Sequence, residues 1–402
     1  MQNLPENNIK QKISDLAVNG GVPLFRKIRS TSNLFKPEEA DFFKYSKVIF
    51  ESRRLTNNGP LVQLMEERLA KLHEVKHCIA VCNGLWGLIM CLKVLAIKGR
   101  TEVIMPSLTY RRMADIAAWV KLTPHFCDVD ITTLGMKPEF VEPLINKNTA
   151  IILAAHPIVN LTDIDGMVSL ANKHNIPIVF DSVEAVYASY KGKMLGSFGE
   201  AEVFSMHSSK FLNGFEAGYI TTNNNVLAEQ LKLMRGFGFE GPDNVRVFGL
   251  NAKLNEIHAA MALACLDKVE EQVERNRKRY LVYKKYLKGL KGIELVEYKE
   301  DESRSFKTII VKFNENWKLS RENTIKIMHK ENMLVRPYYA PPLHLKKTSY
   351  KTIAGNMNNT LKLMDNHMLM PCGEFVDEDD IIRIAGFLKF IEENAEEIKS
   401  SL

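Results

Sequence analysis

The sequence contains no CxxC pair, no uninterrupted apolar run of membrane-spanning length, no internal repeat and no low-complexity segment. Its six cysteines, Cys78, Cys82, Cys91, Cys127, Cys265 and Cys372, lie mostly inside apolar stretches, where a thiol behaves as a small hydrophobe. That usage predicts reduced thiols and a cytoplasmic protein. The opening residues, MQNLPENNIKQKISDLAVNGG, lack the basic start, apolar run and small-residue cleavage site of a secretory signal. The nearest approach to a transmembrane stretch, 79–97, is broken early by Asn83-Gly84 and carries Lys93, so a buried strand, a turn and a helix are expected, and no membrane span. Only 22 Gly and 15 Pro exclude collagen-like and disordered chains. Charge of one sign is also lacking: 54 Lys and Arg against 48 Asp and Glu leave +6, spread along the chain, which does not select a partner. The basic stretch 275–279, next to Tyr280 and Tyr283, reads as a solvated helix face, and no nucleic-acid partner is expected.

What is present suits an enzyme. At 402 residues, 46% hydrophobic and 25% charged, the chain can form two or three domains, or one large α/β unit with an appendage. The turn TNNGP (56–60) leads into LVQLMEERLAKLHEV, where Leu61, Leu64, Met65, Leu69 and Leu72 recur at helical spacing. HCIAV, an apolar helix from about Trp86, EVIMP, a helix near 113–120 and PHFCDVD follow in a βαβ rhythm. It continues through AIILAAH (150–156), a helix around 168–174, PIVFDS (177–182), AEVFSM (201–206) and YITTN (219–223). Unbroken apolar strands separated by helices predict an α/β fold with a mostly parallel central sheet and helices on both faces. Ligands then belong at the carboxyl ends of the strands. From about Asn255 one long helical tract is expected, apolar first and basic later, followed by a smaller α+β domain. The predicted organisation is an N-terminal arm over 1–45, a large α/β domain over 46–254, a connecting helix over 255–285 and a small C-terminal α+β domain over 286–402.

Polar groups stand where apolar strands end: Asp181 after PIVF, Ser205 and His207 after AEVF, and Lys210 three residues on. A lysine able to form a Schiff base and a carboxylate able to keep a pyridinium nitrogen protonated are what pyridoxal phosphate chemistry requires. Hydroxyls and backbone N–H groups near that lysine are what a phosphate needs. Each signal alone has a plainer reading, an exposed loop lysine or a helix-capping aspartate. A competing pattern, His73-Glu74-Val75-Lys76-His77, spells the H-E-x-x-H of zinc proteases. Its helix should end near Val75 and His77 should open a strand, so the rings diverge and no metal site is expected.

The residues FDSVEAVYASYKGKMLGSFGEAEVFSMHSSKFLNGFEAGYITTN (180–223) resemble the DegT/DnrJ/EryC1/StrS family of pyridoxal-phosphate sugar aminotransferases, of fold type I. TNNGPLVQLMEERLA, IAVCNGLWGL, EVIMPSLTY, FGLNAKLNEIHAAMALACL and VRPYYAPPLH extend the resemblance over nearly the whole chain. It implies that Lys210 is the Schiff-base lysine and proton carrier and that Asp181 pairs with the pyridinium nitrogen. Tyr110 would stack on the cofactor ring. Ser205, His207 and the backbone at Gly84 and Leu85 would line the cofactor site, phosphate included, and Asn251 would reach the phosphate of a neighbouring subunit in a homodimer with shared sites. Arg336 and His344 match a small-domain loop that approaches the substrate, and His156 stands at a strand end where relatives also carry histidine.

There are departures from the pattern. Leu85 replaces the usual Thr or Ser, removing a hydroxyl from the phosphate site. Glu184 replaces Gln or His beside the cofactor's phenolic oxygen; an ionised carboxylate would repel the phenolate, so Glu184 is expected to be protonated or turned away. Arg111 and Arg112 replace small or apolar residues after Tyr110, either to bind a substrate phosphate or carboxylate bidentately or as solvated charges at a helix start. The resemblance implies transfer of an amino group from an amino acid, glutamate, to a keto-sugar that is usually nucleotide-linked, in amino-sugar biosynthesis. The alternatives are a sugar dehydratase, against which Lys210 argues, and a non-catalytic cofactor- or sugar-sensing regulator.

Overall fold

The computed structural model describes residues 10–32 and 35–401. Seven strands build the large sheet: β1 (His77–Val81), β2 (Glu102–Pro106), β3 (Thr123–Cys127), β4 (Thr149–Ala155), β5 (Ile178–Asp181), β6 (Ala201–Ser205) and β7 (Gly218–Thr222). Their order across the sheet is β3-β2-β4-β5-β6-β7-β1, with the two-residue strand Ile353–Ala354 added outside β3. Neighbours pair in parallel except β7, which runs antiparallel to both β6 and β1. Successive side chains point to opposite faces, and both faces are buried. Ile104, Ile152, Phe180 and Phe204 enter one core, beneath α1 (Glu39–Ser52), α2 (Pro60–Leu72) and neighbouring helices. Val103, Ile151, Val179 and Val203 enter the other, beneath α3 (Gly84–Leu95) and α4 (Met113–Trp119). Each fully buried side chain of this size contributes about 1.5–3 kcal/mol.

Helix starts follow local chemistry. Pro60 occupies the first turn of α2, and the Leu61 and Val62 amides donate to the buried Glu256 carboxylate at 2.7 and 3.2 Å. The Asn83 side chain caps α3 by accepting from the Trp86 amide at 3.0 Å. The tract expected as one connecting helix is two, Glu256–Leu266 and Val269–Leu287. The break falls where Asp267 is drawn sideways, accepting from Arg68 at 2.7 Å and from the Tyr45 hydroxyl at 2.9 Å.

A third core lies beneath a four-stranded sheet containing β8 (Ile293–Leu295), β9 (Ile309–Phe313), β10 (His367–Met370) and the short strand Arg336–Pro337, all antiparallel. Two features cross the expected boundaries. Leu16, Leu24 and Phe25 of the predicted arm belong to this C-terminal core, whereas α1 packs on the large-sheet core. Glu331 explains the first: its buried carboxylate accepts from the Ala17 and Leu24 amides at 2.7 and 2.6 Å and pairs with Lys10 at 3.1 Å. Ile353–Ala354, from the C-terminal part, pairs with His125 and Phe126 of the large sheet. No helix among the described residues is long and apolar enough to cross a membrane.

Candidate active site

The carboxyl ends of β1, β2, β4, β5 and β6 open onto one side of the sheet. Gly218, at the start of the antiparallel β7, sits opposite both Val81 and Ser205 and brings the ends of β1 and β6 together. A Cβ on Gly218 would stand 2.5 Å from the Gly84 nitrogen and 2.9 Å from the Phe204 carbonyl, so only glycine allows this approach. The Gly84 and Leu85 amides begin α3, and first-turn amides have no intrahelical acceptor. A Cβ on Gly84 would lie 3.2 Å from the Ser205 Cβ. Two amides, the positive end of a helix and a hydroxyl therefore converge in one cradle for an anion.

At the next strand end Asp181 is buried, with the Val183 amide donating to Oδ1 at 3.2 Å. Burial raises its pKa to about 7, against the pull of that hydrogen bond and of the charge on Lys210. A partner cation there would offset the cost of burial and hold the carboxyl ionised. Lys210 follows a tight turn in which its amide donates to the His207 carbonyl at 2.8 Å. Its ammonium donates to Glu184 Oε1, and Lys307 donates to Glu184 Oε2 at 2.9 Å. Burial would raise the Glu184 pKa, but the two ammonium groups overcome it and bring it down to about 2. With Lys210 free, the Glu184 carboxylate faces both ammonium groups, which favour its ionised form over the protonated or averted one expected beside a cofactor phenolate.

The remaining candidates divide. Tyr110 is exposed beyond β2, and the phenol of Tyr339 is pushed well above its ordinary value by burial and by the nearby Glu184 carboxylate. His344 Nδ1 lies 2.6 Å from the Ser107 hydroxyl, docking the small-domain loop at the end of β2. His207 bonds the Ser209 hydroxyl at 2.8 Å and approaches Glu216 at 3.4 Å. Arg112 pairs with Asp115 at 2.6 Å on the first turn of α4, as a helix-start charge does, whereas the Arg111 carbonyl receives Lys346 and its guanidinium stays in solvent. Arg336 is exposed on the short strand paired with β10, and no hydrogen bond or ion pair ties it to this cluster. Asn251 is exposed and bridges Gly236, without a bond to the cradle in the same protomer. His156 stacks on Phe180 at 5.2 Å; burial lowers its pKa to about 3 and its Nε2 has no partner.

The histidines of the zinc-like pattern take separate partners, His73 on the Tyr219 hydroxyl at 2.8 Å and His77 on Asn225 at 2.8 Å. One site residue escapes sequence reasoning, Lys307, which carries no motif. The donor set fits pyridoxal phosphate: an anion cradle at Gly84, Leu85 and Ser205, a buried carboxyl at Asp181 suited to a cationic ring nitrogen, and an amine at Lys210 suited to an aldehyde.

A family model described as the DegT/DnrJ/EryC1/StrS aminotransferase family matches residues 37–389. Among curated relatives, GDP-perosamine synthase of Caulobacter vibrioides is 34% identical over 223 residues, 54% of this chain and 60% of that protein. The dTDP-4-amino-4,6-dideoxy-D-glucose transaminase of Shigella dysenteriae is 26% identical over 305 residues, 76% of this chain and 83% of that protein. Among solved structures, DesI in the presence of its TDP-sugar product superimposes with a TM-score of 0.91 at 29% identity, covering 97% of this chain and 99% of that one. The fold is that of the type I pyridoxal-phosphate enzymes.

Proposed function

Since the chain belongs to the DegT/DnrJ/EryC1/StrS aminotransferase family and is an aminotransferase with pyridoxal phosphate as its cofactor, we propose that it moves an amino group from an amino acid, glutamate, to a keto-sugar carried on a nucleotide. The convergence of Lys210, Asp181 and the Gly84–Ser205 cradle at adjoining strand ends carries this reading. The relatives named for nucleotide-linked amino sugars supply the substrate class. Pyridoxal phosphate supplies the aldehyde that accepts the amino group and a ring that stores the released electron pair. Lys210 Nζ removes the proton at the donor's α-carbon and delivers one to the acceptor carbon, a role worth about 10²–10⁴-fold. Asp181 holds the ring nitrogen cationic, and Gly84, Leu85 and Ser205 hold the phosphate. His207 lines the site beside Lys210 and Tyr110 covers the ring face. Arg111 meets an anionic group of the acceptor, and His344 holds the small-domain loop over the site.

The protein acts as a homodimer in the cytoplasm, with Asn251 completing the partner subunit's phosphate site. Purified enzyme incubated with glutamate should lose the bound cofactor's visible absorbance and regain it with a nucleotide-linked keto-sugar. Bound cofactor that no amino donor converts would instead indicate a sensing role.

A further inference from the structure

We infer that Lys307 is a positioning residue of amino transfer, acting through Glu184: it fixes that carboxylate at the catalytic amine and cancels its charge. Lys307 comes from the segment before β9, outside the strand ends that carry the rest of the site, and is 9% exposed. Its ammonium takes one Glu184 oxygen at 2.9 Å while Lys210 takes the other. The Glu184 side chain is 14% exposed. A cavity it lines with Arg304 and Tyr298 has a volume of about 10 Å³, room for no more than one water. Solvent therefore balances little of this charge, and its two ammonium partners balance the rest.

The surroundings make the pair necessary. Glu184 contacts Lys210 and Lys307, its charge is felt at Asp181, Cys372 and the phenols of Tyr298, Tyr338 and Tyr339, and Arg304 lines the same cavity. Burial pushes the thiol and all three phenols upward, so they are neutral, and Arg304 donates its bonds to the Ser189 and Ser303 carbonyls. Once the Lys210 amine is committed to the cofactor it no longer neutralises Glu184. A buried carboxylate without a partner is costly, and Lys307 remains as the cation that keeps it paired and ionised. Together Glu184 and Lys307 present a polar but uncharged wall to the reacting nitrogen.

This inference rests on the role assigned to Lys210. Its test is the pH midpoint at which the holoenzyme's visible absorbance changes, which reports the proton on the nitrogen that joins protein and cofactor. In Lys307→Met the unbalanced Glu184 anion should favour that proton and raise the midpoint by about one unit; in Glu184→Gln the unbalanced Lys307 cation should lower it by about as much. The double variant should return to within a few tenths of the parent, and Lys307→Arg should stay near it. Absent or same-direction shifts, or a double variant that does not return, would overturn the inference. If Lys307→Met does not fold, Lys307→Gln takes its place, with the same upward shift expected and an unchanged midpoint counting against the inference. Lys210→Ala distinguishes the two failures: cofactor that borohydride still fixes to the protein in that variant refutes the Lys210 assignment itself.

Discussion

The two walls of the site differ in how they are built and in what they contribute. The large-domain wall is a row of strand ends, Gly84, Asp181, Ser205 and Lys210, spaced by the hydrogen-bond ladder of one sheet and backed by two cores. The small-domain wall is made of single residues on connecting segments, Lys307 and His344, which bond Glu184 and Ser107 of the large domain. In the proposed function the strand-end wall holds the groups that would touch cofactor, and the wall packed over it would adjust their charge and access. Asp181 and Glu184 show the contrast in two carboxylates three residues apart. Asp181, without a cation of its own, is raised to about 7, and Glu184, reached by an ammonium from each wall, falls to about 2.

The largest way to break this comparison is Lys210→Ala, expected to lower the transamination rate by about 10⁴-fold, measured with glutamate and a keto-sugar acceptor. Next is the pH dependence of cofactor-free enzyme. Asp181 binds its proton more tightly folded than unfolded, so its contribution is full below its ordinary value of 3.8 and is lost as pH rises through about 7. That loss is roughly 4 kcal/mol at about 1.36 kcal/mol per unit. Glu202, buried on β6 and also raised to about 7, adds to the same slope. Asp181→Asn should therefore flatten, without abolishing, the fall in thermal stability between pH 4 and pH 7, and an unchanged slope would refute the burial argument. Glu184 runs oppositely, its contribution present above its ordinary 4.5 and lost as pH falls toward about 2. Ser205→Ala should weaken pyridoxal phosphate binding by about tenfold in equilibrium titration, the loss of one hydrogen bond to a charged group. The smallest effect separates the two arginines: Arg111→Ala should raise the acceptor KM several-fold, whereas Arg112→Ala, which loses only its exposed pair with Asp115, should change stability by under about 1 kcal/mol and leave that KM alone.

The large-domain wall was legible because buried parallel strands are apolar to their last residue, so Asp181, Ser205 and Lys210 stand out where PIVF and AEVF stop. The antiparallel direction of β7 was not, since YITT has the same pattern read either way. The second partner of Glu184 was not legible because it lies 123 residues further along the chain. Lys307 sits in FKTIIVKF, where periodicity marks a strand and gives no sign that the lysine before it turns inward. The break at Asp267 depends on Tyr45 and Arg68, partners that helical spacing does not reveal.

The most direct measurement is to reduce the purified holoenzyme with borohydride and locate the pyridoxyl group by peptide mass spectrometry. The account predicts a single modified residue, Lys210, with Lys307 unmodified. A pyridoxyl group on any other lysine would contradict it.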